Sequence, residues 1–147
     1  MINKIFLTLI GLTIIVNADF DRHNGIILDF NTGFEWQDNY SDNSNNIKES
    51  TWSNAIKYCQ ELNLGNKSDW RLPSRKELLT IVDKNRNRPA IDSTFRKTSS
   101  NFYWSIDRFE GKYVWGIDFF YGSKGRYDEN NEFLIRCVRE DKKNNNF

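Results

Sequence analysis

Apolar positions along this chain change their period several times, and each change marks an element. From Ile5 to Val16 they run almost unbroken and without a charge. The chain turns polar at Asp19, and Gly25-Ile26-Ile27-Leu28-Asp29-Phe30 then reads as a strand. Asn31-Thr32-Gly33 carries turn residues, and Phe34-Glu35-Trp36-Gln37 reads as the returning strand of a hairpin. Asp38 to Asn46 is dominated by Asn, Asp and Ser and predicts loop. Trp52, Ala55, Ile56, Cys59 and Leu62 then recur at helical spacing. Ser50 or Thr51 can cap that helix, and Leu64-Gly65-Asn66 ends it. A second helix is marked by the capping box Ser74-Arg75-Lys76-Glu77 after Pro73, with Leu78, Leu79 and Val82 as its apolar face.

Between the helices, Asp69-Trp70-Arg71-Leu72-Pro73 reads as a packed connection, with Trp70 in the core and Arg71 paired to a carboxylate. Lys84 to Asn101 is polar and irregular, with Ile91 and Phe95 expected to plug it onto the core. Period-two patterns return in Tyr103-Trp104-Ser105, in Tyr113 to Tyr121 and in Glu132 to Arg139. The last would set Phe133, Ile135 and Cys137 on one face and Leu134, Arg136 and Val138 on the other. Elements that come in runs, without strict alternation, predict an α+β fold with two helices packed on antiparallel strands.

The opening apolar run is shorter than the roughly 20 residues a bilayer demands. Lys4 precedes it, and Val16-Asn17-Ala18 fits a small-x-small cleavage site. Residues 1–18 are therefore expected to be a signal peptide cut between Ala18 and Asp19. A buried helix or a retained anchor is the alternative. The domain would then span residues 19–141, ahead of a disordered polar tail at 142–147. An extracytoplasmic location follows, whether periplasm, cell surface or medium, with no stable membrane insertion after cleavage.

Charge and cysteines sharpen this picture. The formal net charge is +1, which gives no bulk electrostatic reason to seek nucleic acid. Lys84-Asn85-Arg86-Asn87-Arg88 and Arg96-Lys97 read as solvated loop. The chain holds two cysteines, Cys59 and Cys137. In an exported protein such a pair predicts a disulfide. A reactive thiol is the alternative, but there is no C-x-x-C motif and His23 is the one histidine.

Several motifs together resemble the Lcl C-terminal domain family, a bacterial domain named after a collagen-like adhesin. They are Asp29 through Gln37, the W-x-x-A-x-x-Y-C pattern of Trp52 to Cys59, and Asp69 through Ser74 with Glu77-Leu78. Tyr103-Trp104-Ser105, Trp115 through Phe119 and Arg136-Cys137-Val138-Arg139 complete the set. The resemblance covers Ile26 to Glu140. It implies a C-type-lectin-like fold, close to that of the formylglycine-generating enzymes, in which a disulfide from a helix to the last strand is the usual core staple. It also implies exported or surface proteins, some of them similar to adhesins that bind host glycans. Fold alone does not assign function.

The chemistry expected of an enzyme is thin. His23 lies near a terminus, no G-x-S-x-G elbow is present, and the two cysteines sit at the structural positions of the family. A two-carboxylate glycosidase stays open, because carboxylate separations are invisible in sequence. No His/Cys cluster suggests a metal. The E-P-N, Q-P-D and W-N-D motifs of calcium-dependent lectins are missing, and Asp128-Glu129-Asn130-Asn131-Glu132 reads as a solvated turn. No catalytic residue, metal or cofactor is expected. The candidate ligand-binding residues lie in two presumed loops, Ile106 to Lys112 and Gly122 to Asn131: Asp107, Arg108, Phe109, Tyr121, Lys124, Arg126, Tyr127 and Asp128. The leading expectation is a non-catalytic, adhesin-like binding module for a protein or glycan at the envelope or outside the cell. A structural or envelope-assembly subunit comes second and an uncharacterised enzyme third.

Overall fold

A computed structural model describes the backbone of residues 3–9 and 12–141 and the side chains of residues 19–141. The expected tail lies outside the described residues. Strands β1 (Asn3–Leu9) and β2 (Leu12–Ala18) pair antiparallel with each other and with no other strand among the described residues. The Asp19 carbonyl accepts the Phe30 N–H at 3.0 Å. β3 (Phe20–His23), β4 (Ile26–Asp29) and β5 (Phe34–Gln37) then form an antiparallel meander. The β4–β5 turn follows from its residues. The Asp29 carboxylate accepts the Asn31 N–H and the Thr32 hydroxyl, and Gly33 adopts the left-handed φ of 73° that closes it.

β6 (Glu49–Ser50) leads into α1 (Trp52–Glu61), and α2 (Arg75–Thr80) follows. Thr51 stands at the start of α1 without a side-chain cap. The first N–H, that of Trp52, donates instead to the Glu129 carbonyl at 3.0 Å, which satisfies one orphan donor of the helix. In α2 both bonds of the capping box form between Ser74 and Glu77. Val82 lies past the end of α2 and pairs as a bridge with Ile91.

The chain finishes with β7 (Phe102–Arg108), β8 (Tyr113–Asp118), β9 (Ser123–Asp128), β10 (Phe133–Leu134) and β11 (Val138–Glu140). One sheet has the order β11-β5-β4-β3 and the other β6-β10-β7-β8-β9. The fold is α+β, mostly strand, with two helices and one disulfide. Residues from both faces of β7 and β8 enter the core. Phe102, Trp104 and Val114 enter a cluster with Ala55, Cys59 and Trp70. Tyr103, Ile117 and Phe119 enter a second with Leu78, Ile91 and Phe95.

Three expectations need correction. The segment Glu132 to Arg139 is not one strand, because β10 and β11 lie in different sheets, and β10 runs parallel to β7. Side chains and a loop take its central backbone groups: Ile135 N–H donates to the Lys48 carbonyl, Tyr40 Oη donates to the Ile135 carbonyl, and Cys137 N–H donates to Gln37 Oε1. Gly122 to Asn131 is not a loop, since β9 occupies its middle. Its polar residues suit an exposed edge strand, where apolar alternation is not required. Ile106 to Lys112 is also partly strand, because β7 continues to Arg108 through an irregularity after Trp104.

Cys59 and Cys137 are bonded, with their Cα atoms 5.5 Å apart and both residues fully buried. The bridge joins α1 to the segment between β10 and β11. Closing a loop of 78 residues stabilises by roughly 4–5 kcal/mol in the chain-entropy model. No helix among the described residues is long and apolar enough to cross a membrane.

Candidate functional site

The large apolar side chains that are exposed among the described residues are Ile106, Phe109, Tyr113, Tyr121 and Tyr127. All belong to β7, β8, β9 or the turns between them. The strand register decides which of them meet. Trp115 stands opposite Arg126, and Tyr113 opposite Asp128, so these four share one face of the β8–β9 hairpin. Phe109 folds over that face, with its ring edge-on to Trp115 at 5.2 Å. The Arg126 guanidinium lies 4.1 Å from the Phe109 ring centre and 5.5 Å from that of Trp115. Arg75, the first residue of α2, lies 4.5 Å from the Trp115 ring. The result is a platform of two rings and two guanidinium groups at the open end of the hairpin.

Of the candidate residues, Phe109 and Arg126 form this platform. Lys124 stands beside it on β9, exposed, opposite Ile117. Asp128 pairs with Lys112 at 2.7 Å. That hydrogen bond holds the Asp128 carboxyl below its ordinary pKa and raises the Lys112 ammonium above its own.

The remaining candidates do structural work or sit elsewhere. The Asp107 carboxylate accepts the Arg75 N–H at 2.7 Å and so caps α2. Arg108 bonds Glu129 at 2.7 Å and stacks 4.5 Å over Trp52, tying α1 to the strands. Tyr127 turns to the opposite face, where its ring meets Phe102 at 4.8 Å and Phe133 at 4.7 Å. Gly116 and Gly125 stand opposite each other there and leave the slot that the Phe102 ring fills. Tyr121 lies at the closed end of the hairpin, with Arg88 at 3.5 Å from its hydroxyl.

Sequence reasoning missed Arg75 and Trp115 as site residues. Arg75 was hidden inside a capping box, and Trp115 inside an alternating pattern that marks core as readily as surface.

The motif residues mostly close the fold. Trp70 is buried and donates through Nε1 to the Lys67 carbonyl at 3.0 Å. Arg71 grips both carboxylate oxygens of Glu77, at 2.8 and 2.7 Å. Burial works to raise the Glu77 pKa, but the Arg71 guanidinium and the Ser74 N–H and hydroxyl outweigh it, so the carboxyl titrates below its ordinary value. Arg139 pairs with Asp69 at 2.6 Å and with Glu35, and Lys67 also reaches Glu35 at 2.6 Å. Arg136 is wholly buried. It bonds Asp38 at 3.3 Å and the Lys97 carbonyl at 2.6 Å, and its guanidinium faces the Phe95 ring at 5.0 Å. Trp115 is the motif residue that reaches the platform.

Elsewhere a polar cleft of about 470 Å³ opens beside the start of β3, lined by Asp19, Asn31, Asp83, Lys84 and Asp92 among others. Asp83 and Asp92 each accept a backbone N–H two residues on. His23 is exposed, and its ring lies 3.1 Å from the Asn24 side-chain amide.

The fold and this surface define a small disulfide-tied α+β domain with an aromatic and cationic face. A model of the Lcl C-terminal domain matches residues 25–139, and the chain belongs to that family. None of the curated proteins compared with it matches significantly.

Proposed function

We propose that this chain works outside the cytoplasm as a non-catalytic recognition module with a C-type-lectin-like fold, binding a protein or glycan at the platform of Phe109, Trp115, Arg75 and Arg126. The observation that carries the reading is the confinement, among the described residues, of the exposed large apolar side chains to β7, β8, β9 and their turns. Exposed aromatic residues interleaved with arginine suit contact surfaces. The guanidinium groups of the platform set it apart from a purely apolar assembly contact. Both cysteines are used in the bridge, and His23 faces solvent, which supports a non-catalytic role.

Export is supported from two sides. The disulfide suits an oxidising compartment. Asp19, the residue that follows the expected cleavage site, is tied to the end of β4 through the Phe30 N–H. The C-type-lectin-like assignment is supported by the bridge from the first helix to the segment entering the final strand. A pull-down from envelope extract beside a glycan array, run with wild type and with Phe109→Ala, tests the reading. The ligand should be retained by the former and lost by the latter.

A further inference from the structure

We propose that the free edge of β9 takes up an extended acidic peptide of a partner protein as a sixth strand of its sheet. This rests on the recognition reading and adds to it the conformation and charge of the ligand. β9 is the outermost strand of the five-stranded sheet. The Glu129 N–H donates to the Lys112 carbonyl at 2.8 Å, which sets the phase of the β8–β9 ladder. Hydrogen-bonded and non-hydrogen-bonded residue pairs alternate along an antiparallel ladder. Tyr127 and Gly125 therefore bond back to β8, while the N–H and C=O groups of Arg126 and Lys124 point away from the sheet. The tertiary hydrogen bonds among the described residues leave these outward groups untouched. Ser123, Lys124, Arg126 and Tyr127 are all exposed, so nothing described covers the edge.

The same two residues carry the charge. Lys124 and Arg126 stand opposite Ile117 and Trp115, which places both cations on one face of the sheet, two residues apart. The ion pairs at this end of the sheet are Arg108–Glu129 and Lys112–Asp128. Neither Lys124 nor Arg126 has a carboxylate partner among the described residues. The Arg126 guanidinium lies over the Phe109 ring, and Arg75 adds a second guanidinium over Trp115. A guanidinium stacked on a ring keeps its N–H edge free for a carboxylate.

An added strand would set alternate side chains within about 5.5 Å of those on β9. Acidic residues two apart in the ligand would then face Lys124 and Arg126 together. The outward backbone groups supply a row of donors and acceptors at strand pitch, which another strand matches along its length and a glycan does not. The charges also argue against a second copy of this chain. Paired antiparallel about Gly125, two β9 strands would set Lys124 against Arg126 twice over, which is destabilising.

The probe is a capped eight-residue peptide alternating glutamate and valine, titrated calorimetrically into the domain. Three comparisons accompany it: the same peptide N-methylated along one edge, a lysine–valine peptide, and the variant K124E/R126E. The inference expects the glutamate peptide to bind wild type, and N-methylation or the double substitution to weaken it by about tenfold or more. K124E/R126E should instead prefer the lysine peptide. Equal binding of the N-methylated peptide would overturn edge addition. So would tight binding of an acidic polysaccharide with no peptide binding at all. In either case the recognition reading stands if Phe109→Ala still loses the partner found by pull-down. It falls separately if that variant retains the partner.

Discussion

Arg71 and Val138 exchange both of their backbone hydrogen bonds, each at 2.9 Å. This bridge sews the connection between the helices to the final strand, one residue beyond Cys137. Trp70 fills the core on one side of the seam, and Arg139 draws Asp69 and Glu35 together on the other. Truncation of a buried Trp costs about 3–5 kcal/mol, a large share of a small domain's stability. Trp70→Ala should therefore melt far below wild type or fail to fold. A melting temperature within a few degrees of wild type would show that the seam does not depend on it.

The disulfide should be as important. Non-reducing peptide mapping of protein from an oxidising compartment should recover one Cys59–Cys137 bridge. Loss of either cysteine should lower stability by about 2–5 kcal/mol in denaturant titrations. Recovery of two free thiols would refute the bridge.

Acid should weaken the cap of α2. The Glu77 pKa lies below its ordinary 4.5 in the folded chain. Its stabilising effect is complete above that ordinary value and is lost as pH falls through the lower, folded one. Denaturation midpoints measured from about pH 6 down to 3 should fall more steeply for wild type than for Glu77→Gln. The variant should already be weaker near neutrality. Parallel curves would mean that Glu77 is not linked to folding.

Export has its own test. Amino-terminal sequencing of protein recovered from envelope or medium should begin at Asp19. An intact Met1 on soluble cytoplasmic protein would contradict it.

Much of the scaffold was legible in the sequence because its signals are local. The capping box at Ser74 and Glu77, the apolar stripe through Ala55 and Cys59, and the turn at Gly33 each need only a few neighbouring residues. The split between β10 and β11 was not legible, because it depends on Tyr40, Gln37 and Lys48, which are distant in sequence. β9 was missed because Ser123 to Asp128 lacks apolar alternation. The site was half legible. Phe109 and Arg126 were identified as candidates, whereas Asp107 and Arg108 proved to be engaged within the fold. Tyr127 looked like a free loop residue but rests on Phe102 and Phe133, so its truncation would perturb packing as well as contact.

The direct test of the recognition surface is therefore Arg126→Ala, compared with wild type in a thermal melt and in the envelope pull-down. Arg126 is exposed and its side chain makes ring contacts alone among the described residues, so its loss should change stability by only about 0.5 kcal/mol. The account predicts a variant that melts like wild type and captures its partner at least about tenfold more weakly. Undiminished capture by a folded Arg126→Ala protein would contradict it.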